Sequence, residues 1–252
     1  QIKELRKKIK IEIETFVHGA MCVAISGRCA LSSYLYGKTS NCGFCAQPCR
    51  KEWYLTDAEG NKIHNEGKYF LSAKDLRMID HVPELIKAGI NSFKIEGRRR
   101  DPRYIEVTAR CYREAIDSYF YKTYTLEKIN KWKEELATVY NRGFSTGFYF
   151  STPGKEGIGY EKSDNQSLVK KILAGKVVNY YAKIGVAEIL LNHAGIKIKD
   201  NVMFEGASTY LTQPIESLEI NNNKISQAQK GEKVAVKVND RVRKEDKMFV
   251  LV

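Results

Sequence analysis

The sequence predicts an α/β domain followed by a small all-β domain, and three observations lead to this prediction. Between residues 11 and 140, stretches that alternate apolar and polar residues are followed by stretches with apolar residues at helical spacing. Residues 151–168 are rich in Gly, Ser and other polar residues, which is typical of a linker. After this linker, short apolar stretches alternate regularly with turns, as in small closed β-barrels. We therefore expect an α/β domain at residues 1–150, a linker at 151–168 and a β-barrel at 169–252.

The α/β domain is expected to open with a helix and a strand. Residues 1–10 place Ile2, Leu5 and Ile9 at helical spacing with lysines opposite, and residues 11–16 alternate as a strand does. A short helix at residues 30–36 precedes a loop that continues to residue 50. Residues 51–55 and 63–71 are expected to form strands on either side of a turn at 57–61, where Gly60 and Asn61 favour a turn.

The remaining elements are predicted mainly from capping residues. Ser72 is expected to cap a helical turn that extends through Met78, and a helix at 81–88 should end at Gly89 in the left-handed conformation. Residues 90–95 are expected to form a buried strand. Asp101 should cap a helix that extends to residue 117, and Thr125 one at 126–140. In the second domain, strands are expected at residues 176–183, 185–191, 201–205, 214–220, 224–225, 233–238 and 248–252.

The composition favours a polyanionic partner. The 252 residues carry a formal net charge of +12 and a sequence pI near 9.3, and Lys and Arg neutralise phosphates. A solvated basic surface is the alternative interpretation. No apolar run of about 18 residues or more occurs, so we expect no membrane span. Because no apolar signal segment lies near Gln1, we expect a cytoplasmic protein.

Five of the six cysteines lie in residues 12–50, which we call the cysteine segment. Cys22 and Cys29 are separated by six residues, Cys45 follows after 15 more and Cys49 after another three, with Cys42 as an extra thiol. Four thiolates brought together by a Gly-bearing loop suit an iron–sulfur cluster, the leading interpretation, or a structural zinc, because each ligand must be deprotonated and directed at one point. Disulfides are less suitable, since they are typical of secreted chains too small to build a core.

A second candidate site follows the strand at residues 90–95. Groups just past the carboxyl ends of strands line the active sites of barrels and open α/β sheets, which gives Lys94, Glu96 and Arg98 access to such a site. Arg98 begins a run of three arginines that suits a carboxylate or a phosphate. Alternatively, Glu96 and one of these arginines form a structural ion pair.

The strand at residues 11–16 likewise places Glu14 and His18 at or near a strand end, where active-site groups lie. A lone His near a strand end, however, is more often a hydrogen-bonded structural residue than a general base. Arg28 and Arg50 stand beside cysteines, where a guanidinium group either offsets thiolate charge or holds a substrate anion. Aromatic residues at 141–150 either stack RNA bases or pack as a loop. Cys111, inside a predicted helix, is interpreted as a buried structural thiol.

Several enzyme classes lack their motifs in this sequence. Its histidines form neither an HExxH pair nor part of a nucleophile elbow. No phosphate-binding Walker loop and no dinucleotide fingerprint occur. A cysteine nucleophile remains an open alternative, because a thiol in an electropositive setting is reactive.

The cysteine segment closely resembles the signature of peptidase family U32, which is also called collagenase-like. The matching residues are Glu14, Phe16, Gly19, Ala20, Cys22, Ser26, Gly27, Arg28, Cys29, Leu31 and Ser32, followed by the pattern GxCxxxCR at residues 43–50. The resemblance continues through residues 75–98 and into the C-terminal third. It implies the C-terminal part of a (β/α) TIM-like barrel, with the remainder in an N-terminal region or a partner chain, and a small β-barrel similar to domain 2 of elongation factors.

The resemblance also implies a function. Some family members are RNA hydroxylases that carry a four-iron four-sulfur cluster and use prephenate to hydroxylate a base in tRNA or ribosomal RNA. In this sequence, the implied roles are cluster ligation by Cys22, Cys29, Cys45 and Cys49, anion binding by Arg28, Arg50, Lys94 and Arg98, and catalysis by Glu14, Glu96 and Arg98. We expect an RNA partner, with tRNA preferred. The alternatives are a peptidase, as the family name indicates, and a zinc-stabilised RNA-binding module; Cys42 could also replace Cys45 as a ligand.

Overall fold

A computed structural model describes residues 1–63, 68–160 and 165–252 of the chain. The chain divides into two compact units, Gln1–Leu168 and Val169–Val252. Within the described ranges, no helix has the length and hydropathy needed to cross a lipid bilayer.

The first unit is a mixed α/β structure, which confirms the predicted class. Its described helices are α1 (Ile2–Lys8), α2 (Leu31–Tyr36), α3 (Val82–Lys87), α4 (Pro102–Phe120) and α5 (Leu126–Ala137). Its sheet contains β1 (Glu14–Gly19), β2 (Asp75–Arg77), β3 (Ser92–Ile95) and β4 (Phe144–Ser145) in the order β3-β1-β2-β4. The pairs β1–β3 and β2–β4 are parallel, whereas β1–β2 is antiparallel. A (β/α) barrel consists of parallel strands, so these four strands do not show the expected barrel.

Two helices begin where their capping residues predict. The Asp101 side chain accepts a hydrogen bond from the backbone N–H of Tyr104, and Thr125 accepts one from Lys128. Both bonds satisfy N–H groups that have no partner inside the helix. The apolar faces of α4 and α5 pack with β1 and β2 into one core, whose largest buried members include Met78, Tyr104, Trp132 and Leu136.

Several local predictions for the first unit were wrong. The helical turn expected through Met78 is β2, because the backbone N–H of Asp75 bonds to the carbonyl of Gly143 and that of Met78 to the carbonyl of Val17. Of the two strands expected at 51–55 and 63–71, the described part shows only an isolated bridge between residues 56 and 62, and residues 64–67 lie outside the described ranges. The strand predicted at 90–95 is only half-buried, with Ser92 and Lys94 exposed.

Part of the predicted linker packs on the first unit. The backbone N–H of Lys74 donates to the carbonyl of Gly157, and that of Gly159 donates to the carbonyl of Ser72, both at 2.8 Å. These bonds hold residues 155–159 beside the start of β2. Residues 161–164 lie outside the described ranges.

The second unit is all-β. One sheet joins eight strands in the order β11-β10-β13-β6-β5-β14-β8-β9, and β7 pairs separately with β12. The strands are β5 (Lys171–Tyr181), β6 (Val186–Leu190), β7 (Ile196–Lys197), β8 (Asn201–Glu205), β9 (Tyr210–Pro214), β10 (Leu218–Ile220), β11 (Asn223–Ile225), β12 (Gln227–Ala228), β13 (Lys233–Lys237) and β14 (Lys247–Leu251). Alternation fixes which side faces the core: in β13, Val234 and Val236 are buried while Lys233 and Lys237 are exposed. The strand expected at 214–220 is divided between β9 and β10.

Candidate cysteine site and buried arginines

The topology brings four chain segments to one edge of the first unit's sheet. β1 ends at Gly19, and the parallel strand β3 ends beside it. Because β2 is antiparallel to β1, it starts at the same edge, and β4, which is parallel to β2, starts there too. The cysteine-bearing loop of residues 20–50 continues from β1, and Asp75 begins β2. Arg98 and Arg100 follow β3, and Arg142 precedes β4.

The four cysteines predicted as ligands lie near one another. All six cysteines are free thiols; Cys22 is exposed, and Cys29, Cys45 and Cys49 are partly buried. Burial raises the pKa of Cys49, Arg50 opposes this shift, and Cys45, Cys22 and Cys29 raise the pKa further. Such mutual repulsion between thiolates requires proximity. In the described ranges, however, no three His, Cys, Asp or Glu side chains are arranged to hold a metal ion, so metal ligation stays a prediction.

Arg50 connects the cysteine segment to β2. Its guanidinium group donates to the carbonyl of Met21 at 2.5 Å, to the hydroxyl of Ser72 at 3.1 Å and to the carbonyl of Ala73. Met21 precedes Cys22 directly, so Arg50 holds the chain beside two predicted ligands. Burial, followed by the charge of Arg142, lowers the pKa of Arg50.

Arg98 makes a second connection to the cysteine segment. Its guanidinium group donates to the carbonyl of Gly43, and the backbone N–H of Arg98 donates to the Glu96 carboxylate at 3.1 Å. Gly43 has a φ of +82°, and a Cβ there would collide with the Arg98 guanidinium group. The predicted residues Glu96 and Arg98 therefore lie at the edge of the cysteine segment; their catalytic and binding roles stay predictions.

Glu14 and Lys94 form an ion pair on the exposed face of β1 and β3. Their Oε1 and Nζ atoms are 3.0 Å apart, and the Ser92 hydroxyl donates to Glu14 at 3.1 Å. The hydrogen bond from Lys94, followed by that from Ser92, lowers the pKa of Glu14, so Glu14 is a carboxylate at neutral pH. Lys94 also lies 5.0 Å above the Phe16 ring. Arg28, the remaining predicted anion ligand, is exposed.

His18 has the character of a structural residue. It is 1% exposed, and its ring lies among those of Tyr104, Tyr112 and Phe144. Burial, followed by the charges of Arg77 and Arg100, lowers the pKa of His18 to about 3. The imidazole is therefore neutral in the folded protein.

The structure also brings Asp75 and Arg142, which the sequence analysis did not select, together with Arg100 of the arginine run. Arg100 and Arg142 approach the Asp75 carboxylate at 3.9 Å and 3.8 Å, and these side chains are 10%, 7% and 2% exposed. Arg142 donates to the side-chain oxygen of Gln47, which lies between two predicted ligands, at 3.3 Å. Together with Arg50, these residues form what we call the buried arginine group: Asp75, Arg50, Arg100 and Arg142. The sequence draws attention to Arg50 and Arg100 separately but not to the group, since its members are widely separated and Arg142 lies in a segment interpreted as a loop.

Comparisons with known proteins were made with the whole chain. The profile of Peptidase family U32 matches residues 1–159. An uncharacterized protease of Methanocaldococcus jannaschii is 46% identical, over 100% of this chain and 63% of the relative. A collagenase of Porphyromonas gingivalis is 36% identical over 95% and 58%, and tRNA hydroxylation protein P1 of Bacillus subtilis is 39% identical over 62% and 38%. The chain thus spans about three fifths of the length of the first two relatives.

Proposed function

Since the chain belongs to Peptidase family U32, we propose that it is the cysteine-bearing part of an enzyme that hydroxylates a pyrimidine base in RNA, with tRNA as the preferred substrate. The observation that carries this proposal is the placement of Cys22, Cys29, Cys45 and Cys49 in one segment at the sheet edge where Arg50 and Arg98 contact that segment. The relative named tRNA hydroxylation protein P1 supports an RNA-modifying role, and the net charge of +12 suits a polyanionic substrate.

The donor set suits a four-iron four-sulfur cluster. Cys22, Cys29, Cys45 and Cys49 would hold it, because all four are free and cysteine thiolates are the ligands that such clusters use. When bound, the cluster would supply one-electron redox chemistry. The backbone N–H of Gln47 already donates to the sulfur of Cys45 at 3.3 Å, a contact that tunes cluster potentials in proteins. Zinc bound by the same four thiols is the alternative.

The cationic residues at this edge would bind the anionic co-substrate. Prephenate, the co-substrate that the family resemblance implies, carries carboxylates, and planar guanidinium groups bind carboxylates in pairs. Arg28 and Lys94 are exposed enough to reach a bound molecule. Arg50 and Arg98 donate to backbone carbonyls and would bind the molecule with their remaining N–H groups. Glu14 or Glu96 would move protons. The partial (β/α) barrel stays a proposal, supported by the parallel pairs β1–β3 and β2–β4.

Peptidase activity is the second candidate, because two relatives are named a protease and a collagenase. Two residues that a cysteine or histidine mechanism could use, His18 and Cys111, are buried and unsuited to catalysis. His18 is enclosed by aromatic rings, and burial raises the pKa of Cys111 to about 12, which keeps it a thiol. A cysteine-peptidase mechanism would therefore use a thiol of the cysteine segment, in competition with metal binding.

Anaerobic purification of the full-length protein, followed by iron, sulfide and zinc analysis, tests the cluster. We expect about four irons per chain, lost in Cys45→Ser. Cys42→Ser is the matched control, because it removes an exposed thiol from the same loop, and it should keep its iron. Colourless protein with about one zinc per chain would favour the zinc alternative.

Nucleoside profiles of tRNA and ribosomal RNA from a deletion strain test the reaction. A hydroxylated pyrimidine should disappear, return with the wild-type gene and stay absent with the Cys45→Ser gene. Unchanged nucleosides together with cleavage of gelatin by the purified protein, lost in a single Cys variant, would establish the peptidase alternative.

A further inference from the structure

The buried arginine group has too few negative partners of its own. Among the residues that the structure describes, its three guanidinium groups face a single carboxylate, Asp75, and both ion pairs to that carboxylate are long, at 3.8 and 3.9 Å. Arg100 lies 3.8 Å and Arg142 5.0 Å from the centre of the Tyr140 ring, so one aromatic ring accompanies two cations. Buried charges are normally paired, because leaving water is costly for an ion without a partner.

Specific atoms of the group also lack hydrogen-bond partners. Among the described residues, the Nε and Nη1 atoms of Arg142, the Nε atom of Arg100 and the Oδ1 atom of Asp75 are buried and have no partner. Buried polar atoms are rarely left in this state. The three unpartnered arginine nitrogens are donors, so the group can accept an additional negative charge, which these side chains do not provide.

The four cysteines would supply such a negative charge once a metal holds them as thiolates. Arg50 belongs to the buried arginine group and is also adjacent to Cys49, and Arg142 contacts Gln47 between Cys45 and Cys49. The Arg50 guanidinium group also donates to the carbonyl of Met21, the residue before Cys22, and to the carbonyl of Ala73 and the hydroxyl of Ser72, just before β2. The arginines therefore form a continuous path of positive charge from β2 to the cysteines.

We propose that the buried arginine group is the electrostatic receptor for an anionic metal–thiolate centre at Cys22, Cys29, Cys45 and Cys49. A doubly charged metal core with four thiolates carries a net charge of about −2, which would balance the two uncompensated positive charges of the group. This inference rests on the metal-binding part of the proposed function. Its consequence is that loading the cysteines stabilises the fold partly through residues that do not ligate the metal.

The matched control is Arg77, another arginine of the same sheet. Its side chain is 18% exposed, its Nε atom lacks a hydrogen-bond partner, and it pairs with Asp80 at 3.9 Å. It lies against the Phe144 ring at 4.5 Å, and its backbone pairs with His18 of β1. Its described side-chain contacts, to Asp80 and Phe144, do not reach the cysteine-bearing loop at residues 20–50. Arg77→Gln thus removes a similar buried charge from a place where, on this proposal, it does not face the metal.

The experiment measures how much metal loading raises the melting temperature of the full-length protein. Wild type, Arg100→Gln, Arg142→Gln and Arg77→Gln are compared without metal and after anaerobic reconstitution with iron and sulfide, and in parallel with Zn²⁺. We expect loading to raise the melting temperature of Arg100→Gln and Arg142→Gln by about half as much as that of wild type, because the centre then has fewer positive charges to pair with. Arg77→Gln should show the wild-type increase. Gln47→Asn shortens the side chain that Arg142 contacts but leaves the positive charge of Arg142 in place. This variant should also show the wild-type increase in melting temperature.

The outcomes separate this inference from the proposed function. Equal increases in all variants, or an equal reduction in Arg77→Gln, would overturn the receptor role even if iron and sulfide are bound. Uptake of Zn²⁺ without iron would contradict the iron–sulfur proposal, while the Zn²⁺ series would still decide the receptor role. Uptake of neither metal would overturn both. In iron-loaded protein, Arg100→Gln should also shift the midpoint potential downward, because a nearby positive charge favours the reduced centre.

Discussion

Replacing Gly19 by alanine should strongly destabilise the first unit. Gly19 ends β1 with a φ of +114°, a conformation that L residues rarely adopt. A Cβ there would collide with the backbone oxygen of Glu96 and would lie 2.8 Å from the Glu96 Cβ and 3.0 Å from the Tyr104 hydroxyl. Glu96 cannot easily move away, since its N–H donates to the carbonyl of His18 and its carbonyl accepts from Tyr104.

The magnitude follows from two contributions. Forcing an alanine into this backbone conformation costs about 1–3 kcal/mol. Displacing well-packed neighbours costs about 1–3 kcal/mol more. We therefore expect Gly19→Ala to lower the free energy of unfolding by about 2–6 kcal/mol, a large share of the stability of a typical domain. The same shift would move Glu96 and Arg98 relative to the cysteine segment.

Urea unfolding followed by tryptophan emission measures this effect. Both tryptophans, Trp53 and Trp132, lie in the first unit, so the signal reports on that unit alone. Gly60→Ala is the matched control: Gly60 has a φ of +86°, and an added Cβ there meets nothing within 4 Å, so only the conformational cost of about 1–2 kcal/mol applies. If both variants lose the same stability, the close approach of the ends of β1 and β3 is not as tight as the structure indicates.

Two further predictions concern buried titrating groups. Burial lowers the pKa of His18 from 6.5 to about 3, so below about pH 6.5 the unfolded chain binds a proton that the folded chain does not. As the pH decreases from 6.5, the free energy of unfolding should therefore fall by at most about 1.4 kcal/mol per pH unit. His18→Gln should flatten this part of a plot of urea midpoint against pH, and an unchanged slope would contradict the assignment. Burial, followed by the charge of Glu135, raises the pKa of Cys111 to about 12, so iodoacetamide at about pH 8 should spare Cys111 in the folded, metal-free protein and modify it after unfolding. Peptide mass spectrometry checks this, and labelling of Cys111 as fast as the exposed Cys42 would refute it.

The sequence by itself determined the features that depend on neighbours along the chain. The helices behind Asp101 and Thr125 start as predicted, because a cap bonds to an N–H group only three residues away. The alternation in β13 likewise predicts its buried valines. The family signature in the cysteine segment is also local, and the whole-chain comparison confirmed the family.

Only the tertiary structure decided what depends on strand pairing. Asp75 was expected in a helical turn, but backbone bonds to the segments at residues 17 and 143 make this segment a strand. The opposite directions of β1 and β2 then place Asp75, Arg100, Arg142 and the cysteine segment at the same edge. Arg50, in the cysteine segment, and Arg142 are 92 positions apart in the sequence. No sequence period reports such an encounter, because the free energy that fixes it comes from ladders and core contacts between distant segments. The charge of the edge around the cysteines is for this reason a property of the fold.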